Sequence, residues 1–297
     1  MYIYRMNSQA YEWDYERIHK WGYAISEYIK QYSDIYLLTN MYGNTGDRLI
    51  WDGTRSFLSD YAIEFKNIPM QELGKTDTTS STILIPGSGA LTVLFHEWLP
   101  DIIEKASQCF AKVIVLPSQI DTDVKKVRDA LSLQNVFCFA REQRSYAKAK
   151  NSFPLGLGID LAIFSKHFNK PESPIRNSTN STLVSLRIDQ ATMLSKNTFR
   201  LNDDVNNDIS FSMKTLEDWM QVISNSDSIV TDRMHIAVAA VMLKKELFYI
   251  DPHDKKISDY FRFTFGSEAP SKNVKQVDVD WICSMGYASK IESRENA

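Results

Sequence analysis

Short apolar runs rich in β-branched residues alternate with longer helix-forming segments along most of this 297-residue chain. Such alternation, with short connections, is typical of parallel, doubly wound sheets covered by helices. The sequence therefore predicts an α/β fold. Strands are predicted at residues 34–39, 82–85, 112–116, 135–139, 183–186, 228–230 and 247–250, with a short strand and turn at 156–164.

Helices are predicted where apolar residues recur three or four positions apart. These segments are 10–32, 47–58, 91–107, 123–131, 215–224, 233–244 and 257–263. The first is rich in aromatic residues and could lie on a membrane surface. Its other face mixes acidic and basic residues, which favours packing on the first domain. Small or polar residues follow each strand, so these loops should converge on one crevice at the carboxyl edge of the sheet, with Asp160 near it.

The chain is long enough for two domains of ordinary size. Residues 169–182 are rich in Asn, Lys, Pro, Ser and Thr, a composition typical of linkers. We therefore expect an N-terminal domain at 1–168, a linker at 169–182 and a C-terminal domain at 183–297. A tail helix with Trp281, Cys283 and Met285 could pack back on the first domain. Residues 190–212 are polar and suggest a mobile loop over the cleft.

Composition excludes several classes of protein. A net charge of -3 gives no overall attraction to nucleic acid, so that partner is disfavoured. The chain has 3 Cys and no CxxC motif, which argues for a reducing compartment rather than a disulfide scaffold. The longest apolar run, Ile236–Leu243, is too short to span a membrane, and the N-terminal residues lack a hydrophobic signal core. A cytoplasmic protein is expected.

A loop with two glycines, Met41–Asp47, joins the first predicted strand to a helix. Strand, glycine loop and helix together let backbone N–H groups approach an anion or a sugar closely. The spacing matches neither a dinucleotide-binding fingerprint nor a P-loop. The alternative is a tight turn in which Asn44 and Gly46 hold left-handed angles and Asp47 caps the helix.

A second polar stretch, residues 226–235, leads from a strand into an apolar helix. Thr231 or Asp232 can cap this helix, whose body is expected from Arg233 to about Lys244. The pattern places a guanidinium and the imidazole of His235 at the positive end of a helix, where anions bind. The alternative pairs Arg233 with Asp232 or Asp227 and makes His235 a polar residue of the core.

Several segments, taken together, resemble the polysaccharide pyruvyl transferase family. They occur in the family's order between about residues 35 and 262 and read GNTGDRLI (43–50), GT (53–54), LPSQ (116–119), ARE (140–142), SY (145–146), SLR (185–187) and TDRMH (231–235). Two departures stand out. PGSG at 86–89 replaces a longer glycine run, and Glu142 stands where Asp is common. Neither removes a charged group that the chemistry needs.

The resemblance implies two Rossmann-like domains that face a cleft, as in the glycosyltransferase-B architecture. It implies transfer of an enolpyruvyl unit from phosphoenolpyruvate to a sugar of a capsular, exo- or cell-wall polysaccharide or its precursor. The products are a pyruvate ketal and inorganic phosphate. Phosphoenolpyruvate is then a co-substrate, and no cofactor is expected. A lipid-linked acceptor would add peripheral contact with the inner face of the membrane.

Site roles follow from this chemistry. Phosphoenolpyruvate carries a phosphate and a carboxylate, and Arg141 and Arg233 can bind these groups through their planar forks. His235 is expected as the general acid/base, because its ordinary pKa of about 6.5 suits proton transfer in both directions. Asp47 would act as a base toward the sugar hydroxyl or orient another site residue. Hydrogen bonds to donor or acceptor are expected from Asn44, Thr45, Gly46, Ser118, Gln119 and Ser145.

Arg187 has two interpretations, a contact with an acceptor phosphate or a surface ion pair with Asp189. No His, Cys or Asp cluster has metal-ligand spacing, so a metal-free site is expected. Two other functions are compatible with the sequence. One is a sugar-nucleotide-dependent glycosyltransferase of the same architecture, and the other is a non-catalytic glycan-binding relative.

Overall fold

The computed structural model describes residues 15–75, 77–95, 97–169, 181–189, 194, 199–251 and 255–291. The chain forms two compact units. Unit 1 comprises Met1–Gly43, Asp47–Lys166 and Phe263–Gly266, and unit 2 comprises Asn44–Gly46, His167–Arg262 and Ser267–Ala297. The main division falls two residues before the predicted boundary at 168. Most of the predicted linker, residues 170–180, lies outside the described residues.

Unit 1 is built on a six-stranded parallel sheet with strand order β2-β1-β3-β4-β5-β6. The order reverses between β1 and β3, and ligands of doubly wound sheets commonly bind at such a reversal. Its strands are β1 Ile35–Thr39, β2 Lys66–Pro69, β3 Thr82–Ile85, β4 Lys112–Ser118, β5 Val136–Ala140 and β6 Leu155–Leu157. Its helices are α1 Tyr15–Ile29, α2 Thr45–Asp60, α3 Leu99–Cys109, α4 Lys125–Leu131 and α5 Gln143–Ala149, with 3₁₀ turns at Met70–Glu72 and Leu161–Phe164.

The central strands of this sheet are buried on both faces. All four residues of β3 are buried, as are six of the seven in β4. Continuous burial explains why these strands read as unbroken apolar runs rather than as alternating patterns. Helix α1 also packs on this unit, because the Tyr28 ring stacks on Phe137 with centroids 4.1 Å apart. The prediction that the aromatic helix packs on the first domain is confirmed.

Two predictions for unit 1 need correction. The helix expected at 91–107 begins only at Leu99, where Pro100 occupies the first helical turn. A proline is favoured at this position because its missing N–H is not needed there. Strand β2 was not predicted. It is an edge strand with exposed Lys66 and Asn67, and it lacks the apolar run that signalled the other strands.

Unit 2 is built on a four-stranded parallel sheet with strand order β11-β10-β9-β7. A separate antiparallel pair is formed by β8 and β12. The strands are β7 Thr182–Ser185, β8 Phe199–Leu201, β9 Ser228–Thr231, β10 Glu246–Tyr249, β11 Val274–Gln276 and β12 Ala288–Lys290. The helices are α6 Ile209–Ser212, α7 Leu216–Asn225, α8 Met234–Met242, α9 Lys256–Phe265 and α10 Val279–Ser284, with a 3₁₀ turn at Lys166–Asn169.

The segment predicted as a mobile loop, 190–212, contains ordered elements. Strand β8 and helix α6 lie within it, and Asp208, Ile209 and Ser210 are buried. Its residues 190–193 and 195–198 lie outside the described part of the chain. The tail helix α10 packs within unit 2, where Ile282 joins the core with Val184 and Val230. Within the described residues, no helix is long and apolar enough to cross a membrane.

Gly53 lies where α2 meets the backbone of the Leu161–Phe164 turn. A Cβ at this position would be 2.0 Å from the carbonyl oxygen of Leu161, which is backbone and cannot rotate away. We therefore expect Gly53→Ala to lower the free energy of unfolding by roughly 2–3 kcal/mol, through overpacking. Urea denaturation measures this. Gly89→Ala is the matched control, because its Cβ would meet only Arg141 Nη2, at 3.8 Å. Equal stability of the two variants would contradict the close contact.

Candidate functional site

In unit 2, two arginines follow neighbouring strands at equivalent positions. Strands β7 and β9 are parallel, and Ser185 lies opposite Thr231 at their carboxyl ends. Arg187 and Arg233 are each two residues beyond these paired positions. Both are buried, with 7% and 3% of their surfaces exposed. Their guanidinium groups therefore come together at the carboxyl edge of the sheet, where ligands of open α/β sheets bind.

Helix α8 starts directly at this edge. Arg233 is its N-cap residue, with extended backbone angles, and the hydroxyl of Thr231 accepts a hydrogen bond from the Arg233 N–H at 3.0 Å. The same hydroxyl donates to the carbonyl of Ser185 at 2.7 Å, which ties the helix start to β7. The helix body is one residue shorter at its start than predicted, and it ends at Met242 rather than about Lys244. All nine of its residues are buried.

Arg233 is held by the carboxylate of Asp208, which lies outside the polar stretch 226–235. Its Nε and Nη2 both donate to Asp208, at 2.5 Å each, and Nη2 also donates to Asp189 at 3.2 Å. Its guanidinium lies over the ring of Phe211, 5.2 Å from the centroid. Burial alone would lower the pKa of Arg233, but the bonds to Asp208 raise it above its ordinary value. The guanidinium is therefore permanently charged and fixed in orientation.

The alternative partners expected for Arg233 are wrong. Asp227 accepts from the backbone N–H of Ser181 at 3.2 Å. Asp232 is fully buried and accepts from the Arg187 N–H at 2.8 Å through Oδ1. Among the described residues, Asp232 Oδ2 has no hydrogen-bond partner. Burial raises the pKa of this carboxyl group despite the backbone bond and the nearby arginines.

Arg187 forms a two-point ion pair with Asp189. Its Nε and Nη2 each donate to one carboxylate oxygen of Asp189, both at 2.9 Å. Of the two interpretations from the sequence, the ion pair is therefore present, although it is largely buried rather than on the surface. A contact between Arg187 and an acceptor phosphate stays a prediction.

The first turn of α2 lies against His235. A Cβ on Gly46 would be 3.4 Å from the Cβ of His235 and 3.5 Å from the hydroxyl of Ser210. The hydroxyl of Thr45 donates to the carbonyl of Met213 at 2.6 Å, which fixes this turn in unit 2. The structure thus brings together the glycine loop and His235, two features that are almost 190 residues apart in the sequence.

The glycine loop does not adopt the alternative turn. Neither Asn44 nor Gly46 has a positive φ; the left-handed residue here is Asn40, with φ of 57°. Asn44 acts as the helix cap, because its side-chain oxygen accepts from the Gly46 N–H at 2.8 Å. Asp47 is the third residue of α2 and half-buried. A Cβ on Gly43 would lie 2.9 Å from its carboxylate, so glycine leaves room beside the proposed base.

Arg141 is the charged centre of unit 1. It directly follows β5 and is 3% exposed. Its Nη1 donates to Asp160 at 3.1 Å, and its Nη2 donates to the side-chain oxygen of Gln119 at 3.3 Å. Gln119 follows β4 in matching register, since Ser118 pairs with Ala140. Arg141, Gln119 and Asp160 therefore form one cluster at the carboxyl edge of this sheet.

Two of the predicted binding residues make hydrogen bonds inside unit 1. The hydroxyl of Ser118 donates to the carbonyl of Leu116 at 2.9 Å and accepts from the Ser88 N–H at 3.1 Å. The hydroxyl of Ser145 bonds Glu142 and accepts from the Ile120 N–H at 2.9 Å. Both side chains are buried and hold the loops that follow β3 and β4. Their role in the structure is therefore to order the loops beside Arg141.

Asp208 was missed by sequence reasoning. It lies in a polar segment without periodicity, between two short elements, and its distance in sequence from Arg233 is 25 residues. No local sequence signal pointed to it; a buried arginine requires a counter-charge, but its burial is known only from the structure. The described residues contain no group of three or more His, Cys, Asp or Glu that could hold a metal ion.

Each of the two parallel sheets has buried arginine at its carboxyl edge, Arg141 in unit 1 and Arg187 and Arg233 in unit 2, a charge pattern suited to anionic ligands. The family model described as polysaccharide pyruvyl transferase matches residues 44–254, more than two thirds of the chain. The chain belongs to the polysaccharide pyruvyl transferase family. The matched segment contains every site residue discussed above except Gly43 and Asn40.

Comparison with individual proteins agrees with this assignment. The chain is 24% identical to EpsO of Bacillus subtilis (strain 168), whose name describes it provisionally as a pyruvyl transferase, over 83% of this chain and 89% of EpsO. The fold is similar to the crystal structure of a functionally uncharacterised protein from Klebsiella pneumoniae, with a TM-score of 0.70 and 17% sequence identity. That similarity covers 87% of this chain and 99% of the other, and it shows the shared fold.

The raised pKa of Asp232 makes stability depend on pH. The folded state keeps its proton above the ordinary carboxyl value of 3.8, where the unfolded state has lost it. Stability from the neutral form is therefore present at low pH and lost as pH rises through the raised pKa. Asp232→Asn keeps the oxygen that accepts from Arg187 and cannot ionise. We expect wild-type stability to fall relative to this variant by up to about 1.4 kcal/mol per pH unit.

Urea unfolding of both proteins from about pH 4 to pH 8 measures this difference. Asp204→Asn, an exposed position in the same unit, is the control and should parallel the wild type. Parallel curves for Asp232→Asn and the wild type would show that Asp232 ionises as an ordinary carboxyl group.

Proposed function

We propose that this protein transfers an enolpyruvyl unit from phosphoenolpyruvate to a saccharide and forms a pyruvate ketal. The family assignment supports transfer of a pyruvyl group to a polysaccharide or its precursor. The observation that carries the proposal is the start of helix α8, where Arg233 is fixed by Asp208 beside His235. A permanent cation and an imidazole, two residues apart at a helix start, match the needs of this reaction.

Donor binding requires cations for a phosphate and a carboxylate. Arg141 and Arg233 are both buried, charged and oriented by carboxylates, so little side-chain entropy is lost when they bind a ligand. Three N–H groups of Arg233, on Nε and Nη2, donate to Asp208 and Asp189. Its Nη1 makes none of these bonds, and we propose that it donates to the ligand. We propose that these two arginines bind the phosphate and the carboxylate of phosphoenolpyruvate.

The reaction moves two protons. Two sugar hydroxyls add to the central carbon of phosphoenolpyruvate, and the C–O bond from that carbon to the phosphate breaks. One hydroxyl proton ends on the methylene carbon, and the other leaves with inorganic phosphate. We assign the proton transfers to His235, which lies in the first turn of α8, with Asp47 as base toward one hydroxyl. Asn44, Gly46 and Thr45 shape the helix start beside the imidazole. Gln119 and Arg141 would contact the donor from the strand ends of unit 1.

The acceptor is proposed as a sugar of a capsular, exo- or cell-wall polysaccharide or its lipid-linked precursor. A cytoplasmic protein that works at the inner face of the membrane fits such an acceptor. A sugar-nucleotide-dependent glycosyltransferase would differ in its donor. It would bind uridine or guanosine diphosphate sugars rather than phosphoenolpyruvate.

Ligand protection tests the donor. A ligand at about a hundred times its dissociation constant adds about 2.7 kcal/mol to folding stability. We expect phosphoenolpyruvate, and not sugar nucleotides, to raise the unfolding temperature. Arg233→Lys should weaken phosphoenolpyruvate roughly 30-fold, because one charge-assisted bond of about 2 kcal/mol and the fork geometry are lost. Isothermal calorimetry measures the affinity.

Arg200→Lys is the matched control, since Arg200 is exposed on β8 in the same unit. Unfolding without ligand checks that Arg233→Lys still folds. An unchanged affinity in a folded Arg233→Lys variant would make Arg233 a structural residue. Protection by a sugar nucleotide alone would assign the protein to the glycosyltransferases. Turnover in the absence of both phosphoenolpyruvate and sugar nucleotides would reject both donors.

The role of His235 is tested by turnover. We expect His235→Ala to lower kcat by about 10²–10⁴-fold, the usual contribution of a general acid/base, while phosphoenolpyruvate affinity changes little. Release of phosphate is measured with a panel of free and lipid-linked sugars. His167→Ala is the control, because His167 lies in unit 2 near Glu217, at 3.9 Å, and has no proposed catalytic role. Turnover within a few-fold of wild type would reject the acid/base assignment.

A further inference from the structure

Asp189 bridges the two arginines of unit 2. Its Oδ2 accepts from Nη2 of Arg187 at 2.9 Å and from Nη2 of Arg233 at 3.2 Å, while its Oδ1 accepts from Nε of Arg187 at 2.9 Å. Both guanidinium groups thus lie within hydrogen-bond distance of a single oxygen atom. A carboxylate on the fork of one arginine, with a second arginine on the same oxygen, is the geometry by which proteins bind carboxylate and phosphate ligands.

The two carboxylates around Arg233 differ in how firmly they are held. Asp208 is 2% exposed at its side chain, and its Oδ2 also accepts from the backbone N–H of Ile188 at 3.2 Å. It belongs to the scaffold of the site. The side chain of Asp189 is 17% exposed, the most accessible member of the cluster. The Asp189 side chain can therefore rotate out of the cluster toward solvent without displacing Asp208 or the two arginines.

The charge balance of the cluster supports exchange. Arg187 and Arg233 bring two positive charges, and Asp208 and Asp189 bring two negative charges. Asp232 contacts neither guanidinium by hydrogen bond among the described residues; its Oδ1 accepts from the backbone N–H of Arg187, and burial raises its pKa. If Asp189 leaves, the cluster has an uncompensated positive charge in a buried position, which is costly unless another anion replaces the carboxylate. An incoming anion would restore the balance.

We propose that Arg187 and Arg233 form one anion subsite, and that Asp189 occupies it until an anionic group of the substrate displaces it. The inference rests on the proposed function in one respect: the substrate is phosphoenolpyruvate, and its anionic group is a phosphate or a carboxylate. The equivalent positions of the two arginines, each two residues beyond paired ends of β7 and β9, explain how the fold forms the subsite. Arg187 thereby joins donor binding, beside Arg233.

The two aspartates give opposite expectations. Asp189→Asn keeps the size of the side chain and removes the competing charge, so anions should bind about tenfold more tightly. Asp208→Asn removes the group that orients Arg233, so anions should bind more weakly. Asp204→Asn removes the same charge from an exposed position of unit 2 and should leave binding unchanged. Isothermal calorimetry on the full chain with phosphoenolpyruvate, inorganic phosphate and pyruvate measures all three.

Comparison of inorganic phosphate with pyruvate shows whether a phosphate or a carboxylate binds at the subsite. Tighter phosphate binding by Asp189→Asn assigns it to a phosphate, and tighter pyruvate binding assigns it to a carboxylate. Arg187→Ala in the Asp189→Asn background should abolish the gain, which excludes a general charge effect. If no anion binds Asp189→Asn more tightly than the wild type, or if the gain survives loss of Arg187, Asp189 is a structural ion-pair partner and the inference fails.

Failure of this inference is separable from failure of the proposed function. Phosphoenolpyruvate binding and transfer by the wild type, without a gain in Asp189→Asn, would leave the function standing and remove the subsite. Tighter phosphate binding by Asp189→Asn, without any binding or transfer of phosphoenolpyruvate by the wild type, would establish the subsite and overturn the proposed donor.

Discussion

The ion pair between Arg233 and Asp208 is the interaction on which the site in unit 2 depends. A buried guanidinium is stable only when a carboxylate compensates its charge and accepts its hydrogen bonds. Asp208 does both, and through Ile188 it also holds the turn that carries Arg187 and Asp189. Losing one partner of such a pair typically costs several kcal/mol, because a charge is then left buried and uncompensated. The pair therefore fixes the geometry of the arginines and the local fold together.

The same principle governs unit 1 on a smaller scale. Arg141 is buried between Asp160 and Gln119, and the paired ends of β4 and β5 determine their spacing. In both units the charged groups follow parallel strands, whose buried faces leave the carboxyl edge as the place where polar side chains can meet a ligand. Each unit therefore presents buried positive charge at the carboxyl edge of its own sheet.

Much of the fold could be predicted from the sequence because buried parallel strands leave a strong local signal. The run at 82–85 coincides with β3, whereas the edge strand β2 carries exposed polar residues and gave none. The positions of Arg233 and Arg141 at the ends of strands could be predicted because both arginines closely follow such runs. Asp208 could not, since its role arises from a contact across 25 residues of irregular sequence. The left-handed turn offered for Asn44 and Gly46 was wrong, because the helix begins there with a side-chain cap from Asn44 and without positive φ angles.

The sequence by itself determined the alternation of strands and helices, the family and the residue types available for anion chemistry. These follow from local periodicity and from motifs that each lie within a few residues. The tertiary structure alone decided which charges pair, because pairing depends on distances between segments far apart in the chain. It placed Asp208 and Asp189 on Arg233, Gly46 against His235, and the tail helix α10 on the core of unit 2. Burial makes the pairing of Arg233 with its aspartates obligatory, since water cannot compensate buried charges.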